Sequence, residues 1–140
     1  MPRVGSKKFW IQTHLRNQRQ ANTVNIRLMK YEDRYKRLWS IYHHLWDHYC
    51  ETAEVMTEQE YEKFLTLNAD FDSFDKILVA NDDYTQAGLS KMATKLKRFA
   101  MFVLNAAIRH GVLEPDTKIE YIAKDKALLV NDEVFYYFGN

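Results

Sequence analysis

NIRLMKYEDRYKRLWSIYHHLWDHY, residues 25–49, carries Leu28, Tyr31, Tyr35, Leu38, Tyr42, Leu45 and Tyr49 at alternating steps of three and four. Three periods of a seven-residue repeat lay one continuous apolar seam along one helix. With its flanks that helix is predicted from about Thr23 to Ala53, roughly 45 Å at 1.5 Å per residue. A second stripe of Arg27, Lys30, Arg34 and Arg37 repeats at the same steps one residue earlier. At about 100° per residue it flanks the seam rather than opposing it. Continued, the stripe becomes Ile41, His44 and His48, and its fixed charge stops. One helix therefore reads as basic and aromatic in its first half and bundle-like in its second.

The charge of the whole chain follows the same division. A net charge of +1 over 140 residues hides a split. Residues 1–50 hold ten Lys/Arg against three Asp/Glu, a net of +7, and residues 51–140 hold ten against sixteen, a net of −6. Such asymmetry points to a polyanionic partner for the basic half, and six to ten phosphate contacts would make binding strongly salt-dependent. Four glycines and two prolines build few turns, which favours long helices over a many-stranded sandwich. Cys50 is the single cysteine, so no intrachain disulfide forms, and synthesis inside a cell is expected. No apolar stretch of signal-peptide length opens the sequence. The longest uncharged apolar run, Phe99 to Ile108, is too short to span a bilayer.

Outward from the long helix, Ser6 can cap a polar helix over Lys7 to about Gln20, expected to order on a partner. Asn22 or Thr23 marks the turn into the long helix. Thr57 and Glu60 form a capping box for a third helix to about Asn68, which buries Tyr61, Phe64 and Leu65. Asp70 to Asp75 reads as an acidic turn, with Asp72 or Ser73 capping a short helix from Phe74 to Ala80. Thr85 opens a last helix whose seam is Leu89, Met92, Leu96, Phe99, Val103 and Ala106, closed by Gly111 and Pro115. The two seams match in period and are expected to pack antiparallel, the third helix covering one side. Beyond Ile119 the period changes to two. Ala127 to Val130, the Asn131-Asp132 turn and Val134 to Phe138 suggest a small hairpin or meander. A strand over Phe135–Phe138 would be apolar on both faces and would need a cover: its own core, a neighbouring subunit or lipid.

No catalytic signature is present: there is no G-x-G-x-x-G, no Walker motif and no G-x-S-x-G. His43, His44, Asp47, His48 and Glu51 form the one metal-like cluster, but without HExxH or a cysteine pair it reads as a packed helix surface. Asn68, Asp70 and Asp72 resemble the start of a calcium loop, yet the glycine is missing and the twelfth position is Val79. No enzyme activity, metal or cofactor is expected.

A short basic helix turning into a long one, then a compact helical bundle, resembles the major coat proteins of archaeal filamentous viruses, the lipothrixviruses and their rod-shaped relatives. The resemblance spans the chain in layout. It rests on the basic Ser6–Arg37 segment and the seams Leu28–Tyr49 and Leu89–Ala106. In that family two such N-terminal helices embrace double-stranded DNA held in A-form, and the bundles form the shell of a helical nucleoprotein. Enveloped members pair two related coat proteins beneath lipid. The resemblance implies that Arg3, Lys7, Lys8, Arg16, Arg19, Arg27, Lys30, Arg34 and Arg37 contact the DNA backbone. It further implies partnership with other copies or a paralogous coat protein, an envelope-facing role for the aromatic tail, and residence in a virion after synthesis in the host cytoplasm.

The expected architecture is all-α, with residues 1–40 as the basic arm, residues 41–140 as the shell bundle and a possible C-terminal hairpin. The alternative is a winged-helix transcriptional regulator, where basic residues should gather on a recognition helix and wing instead of the N-terminal arm. A helical interaction module without nucleic acid is the bland third option.

Overall fold

A computed structural model describes residues 26–82 and 84–139, with side chains from Tyr31 onward except that of residue 83. Among the described residues four helices are followed by three strands: α1 (Ile26–Tyr49), α2 (Thr52–Val55), α3 (Glu58–Ala80), α4 (Gln86–Arg109), β1 (Ile119–Ile122), β2 (Ala127–Val130) and β3 (Glu133–Tyr137). The expected helix over Lys7–Gln20 and the turn before Thr23 lie outside the described residues.

The α1 seam is buried as its spacing requires, with Tyr35, Leu38, Tyr42 and Leu45 sealed and Tyr31 and Tyr49 half-covered. Trp39, Ile41 and Trp46 widen the stripe. The helix stops at Tyr49 instead of running to Ala53, and Thr52–Val55 forms a separate turn of helix. Thr57 opens α3 with the expected capping box: its hydroxyl accepts from the Glu60 amide, and the Glu60 carboxylate accepts from the Thr57 amide. Thr85 likewise caps α4 through the Gly88 amide, and all six α4 seam residues are buried. At its end Gly111 takes φ +78°. The Gly111 amide donates to Ile108 O and the Val112 amide to Ala107 O, the paired bonds of a Schellman cap.

Three sequence expectations are corrected. The first is the break in α3. Residues 58–80 form one helix, with no turn at Asp70–Asp75 and no cap at Asp72 or Ser73. Acidic residues leave a helix when nothing satisfies them, and here each has a donor. Asp75 receives Tyr35 and Trp39, Asp72 pairs with Lys76, and Asp70 pairs with Lys95. The second is polarity. Tyr35 meets Asp75, Tyr42 meets Asn68 and Trp46 meets Phe64, so α1 and α3 are antiparallel. Asp70 meets Lys95 and Glu60 meets Arg109, so α3 and α4 are antiparallel too. Hence α1 runs parallel to α4, with Arg34 at Ser90 and Tyr42 at Phe99. An uninterrupted α3 carries the chain the full length of the bundle, and this reverses the expected orientation.

The third correction is fold class. The molecule is mostly helical but not all-α, because the tail forms a three-stranded antiparallel sheet of order β1-β2-β3. Asn131 and Asp132, at φ 52° and 69°, make the two-residue left-handed turn between β2 and β3 that suits a twisted hairpin. A bulge between Leu128 and Leu129 leaves Phe135 without a partner across the ladder. Phe135 and Tyr136 consequently both turn toward His44 of α1. That answers how an apolar-on-both-sides strand finds cover: Tyr136 and Phe138 join the core and Phe135 packs half-buried against it, leaving Val134 and Tyr137 on the outer side. Among the described residues no helix is long and apolar enough to cross a membrane.

Candidate nucleic-acid interface

Of the nine basic residues assigned to a DNA backbone, Arg3, Lys7, Lys8, Arg16 and Arg19 lie outside the described residues. Arg27 and Lys30 lie within α1, but their side chains are likewise outside. Arg34 and Arg37 are described, and both point to the end of the sheet. Arg34 is only 4% exposed. Its Nε and Nη2 donate to Phe138 O at 3.3 and 3.1 Å, and Nη1 donates to Ser90 Oγ at 3.2 Å. Arg37 donates to Tyr137 O and Gly139 O and lies 5.1 Å from the Tyr137 ring centroid. These two arginines thus hold the carbonyls where the chain leaves β3, at and just past its last ladder pair, Tyr137 with Ala127. Burial first, then the neighbouring Arg37, pull the Arg34 guanidinium below its ordinary pKa.

The stripe therefore has two fates along one helix. Core packing begins at Tyr35, Leu38 and Trp39, so the bundle takes hold before residue 41. Position 34 already lies inside it.

The histidines behave as a surface packed against the sheet. His44 Nδ1 and the Tyr136 hydroxyl are 2.7 Å apart, the His44 and His48 rings lie 4.1 Å apart, and His43 pairs with Asp47 at 2.8 Å. Burial, then His48, lower the His44 pKa. Among the described residues no three His, Cys, Asp or Glu side chains are grouped to hold a metal ion.

A second basic surface was not singled out from the sequence. Helix α4 contains Lys91, Lys95, Lys97, Arg98 and Arg109 and no acidic residue. With Lys63 of α3, three of these line an open groove of about 670 Å³ over Leu67, Met101 and Phe102. Lys63 sits 5.5 Å from the Phe102 centroid and Lys97 sits 4.5 Å from that of Tyr121. Arg109, in the same lining, is tied to Glu60 at 2.7 Å. The signal was legible, since α4 lacks acids entirely, but the net charge of −6 over residues 51–140 averages it away. The carboxylates that produce that average concentrate on α3, which carries Glu58, Glu60, Glu62, Asp70, Asp72 and Asp75.

The chain matches no family model, no curated protein and no solved structure.

Proposed function

We propose that this chain is a structural coat protein that packages double-stranded DNA in a helical filament. The basic segment ahead of the bundle core, within residues 1–40, grips the phosphate backbone, the bundle builds the shell, and copies of the chain or a paralogous partner supply the neighbouring subunits of a virion. The observation that carries this reading is the charge split of +7 over residues 1–50 against −6 over residues 51–140. A sequence-independent electrostatic grip needs a dense run of cations on one segment, and backbone contacts carry no sequence information. Arg34, committed to the tail, belongs to the shell in this scheme. The cationic arm then comprises Arg3, Lys7, Lys8, Arg16, Arg19, Arg27 and Lys30, with Arg37 at its base. Val134 and Tyr137, exposed on the sheet, are the residues left to meet a lipid envelope or a neighbouring subunit.

Electron microscopy of the purified chain with linear duplex DNA tests the proposal. Regular filaments are expected, and different duplexes should compete about equally. If deletion of residues 1–22 leaves duplex affinity and its salt dependence unchanged, the proposal fails.

A second reading draws on one specific observation: an acid-free basic helix, α4, leads into a three-stranded meander, which is the order of a recognition helix and wing. A winged-helix regulator predicts discrete complexes and a sequence-specific footprint in place of filaments.

A further inference from the structure

Arg34 has five N–H donors, and three are used, two on Phe138 O and one on Ser90 Oγ. Among the described residues, two N–H groups of this buried guanidinium are left over. No carboxylate stands against this charge among the described residues. Its immediate charged neighbour is Arg37, another cation. Burying an unpaired charge costs several kcal/mol, so such a group normally has a counter-ion. Beside it lies a partly enclosed cavity of about 80 Å³, lined by Arg34, Ser90, Thr94, Tyr121, Lys126 and Phe138. That volume is well above the roughly 10–15 Å³ that a cavity needs to admit one water.

We propose that this cavity, between α1, α4 and the β1–β2 turn, binds a tetrahedral oxyanion of the phosphate class through Arg34, Ser90 and Lys126.

Each wall supplies a donor of the right kind. Arg34 offers its two remaining N–H groups, one on Nη1 and one on Nη2, as charged donors of the kind that phosphate oxygens accept. Ser90 accepts from Arg34, which leaves its hydroxyl hydrogen free to donate into the cavity. Thr94 does not serve in this way, because its hydroxyl already donates to Ser90 O at 3.0 Å. Lys126 is exposed, has no carboxylate partner among the described residues and sits at φ 53° on the last position of the β1–β2 turn. Its own carbonyl accepts from the Phe138 amide at 2.9 Å, which fixes the turn against the same strand end that Arg34 holds. Two cations and one hydroxyl therefore converge on a space with no acidic residue in its lining. The sequence hides this site, since residues 34, 90 and 126 come from three distant elements.

The same phosphate chemistry has two sources, a free ion or a phosphate of the duplex backbone, and the site stands whether or not the chain is a coat protein. The test is thermal unfolding of the full chain in millimolar inorganic phosphate against chloride at equal ionic strength. At ten times the dissociation constant, phosphate should raise Tm by roughly 3–6 °C over chloride. Lys126→Met should fold with near-parental Tm in chloride and lose most of that increment; Ser90→Ala, which also removes an acceptor of Arg34, should start from a lower Tm and lose the increment too. Lys63→Met, in the groove between α3 and α4 and outside the cavity lining, should keep it. Equal Tm in phosphate and chloride overturns the proposal, as does an increment unaltered in Lys126→Met. The source is then read from duplex binding. If Lys126→Met lowers the salt slope by about 0.9, the occupant is a backbone phosphate. An unchanged slope beside a lost phosphate increment identifies the free ion.

Discussion

The Tyr35 hydroxyl donates to Asp75 Oδ1 at 2.8 Å across the buried gap between α1 and α3. Trp39 Nε1 donates to the same oxygen at 3.2 Å. The carboxyl is fully buried, and desolvation outweighs those two hydrogen bonds, so its pKa is pushed up to about 7, with Asp72 adding in the same direction. Burial, followed by this carboxyl, raises the Tyr35 phenol above its usual range. Large aromatic side chains reach from α1 to α3 at this level, and Asp75 is the polar point on which they converge.

A pH dependence follows. Because the folded pKa lies above the ordinary 3.8, the native state holds a proton on Asp75 that the unfolded chain releases. The stability this gives is full below about pH 4, declines as pH rises and is gone above about pH 7. At about 1.4 kcal/mol per pKa unit the decline is on the order of 4 kcal/mol. Asp75→Asn keeps an acceptor for Tyr35 and Trp39 without the titration, and should flatten the pH 4–7 slope in urea unfolding. A slope as steep in the variant as in the parent would assign it to another group.

Glu60 has the opposite sign. The Thr57 amide, then Arg109 and His110, hold its carboxyl down at about 2. Its contribution is present above about pH 4.5 and is lost as pH falls toward 2. Between them, these two carboxyls contribute most to stability near pH 4–5. Glu60→Gln should erase part of the acid limb, while Thr57→Ala should cost about 1 kcal/mol through the cap. Circular dichroism melts at pH 3, 4.5 and 7 distinguish the two.

Arg34 and Arg37 should separate sharply although they sit one turn apart. Arg34→Met strands a buried Phe138 carbonyl and loosens the sheet, at a cost of about 2–3 kcal/mol. Arg37→Ala removes a partly exposed grip on Tyr137 and Gly139, worth about 0.5–1 kcal/mol. Hydrogen exchange at the Tyr136–Phe138 amides reads the difference: faster in the first variant, near-parental in the second.

What the sequence disclosed depended on range. Seams, the Thr57 and Thr85 caps and the Asn131-Asp132 turn are local patterns and were legible, as were the long helix, which ends at Tyr49 instead of Ala53, and the Gly111 stop. Asp70–Asp75 was misread because the donors that quiet it, Tyr35, Trp39 and Lys95, lie 25 to 40 residues away. Arg34 hides its tie to the tail for the same reason. Its spacing put it on a basic stripe, but its acceptor is Phe138, 104 residues distant, beyond any periodicity. Helix polarity was lost with α3, since one spurious turn changes the direction of everything after it.

Charge reversal on α4 distinguishes the two nucleic-acid readings. Lys97 and Arg98 border the groove on the solvent side of α4 and make no ion pair among the described residues. Lys97→Glu with Arg98→Glu therefore leaves the core untouched and should change Tm little. If the arm alone grips the duplex, the double variant keeps its filaments, and its affinity falls only by the modest long-range effect of four units of lost positive charge, screened beyond about 10 Å in 0.1 M salt. If α4 is a recognition helix, the same change removes direct contacts, abolishes any footprint and cuts affinity by orders of magnitude. Fluorescence anisotropy of a labelled duplex across a salt series measures both. A collapse of binding in this variant, with the arm intact, would move the interface from residues 1–40 to α4.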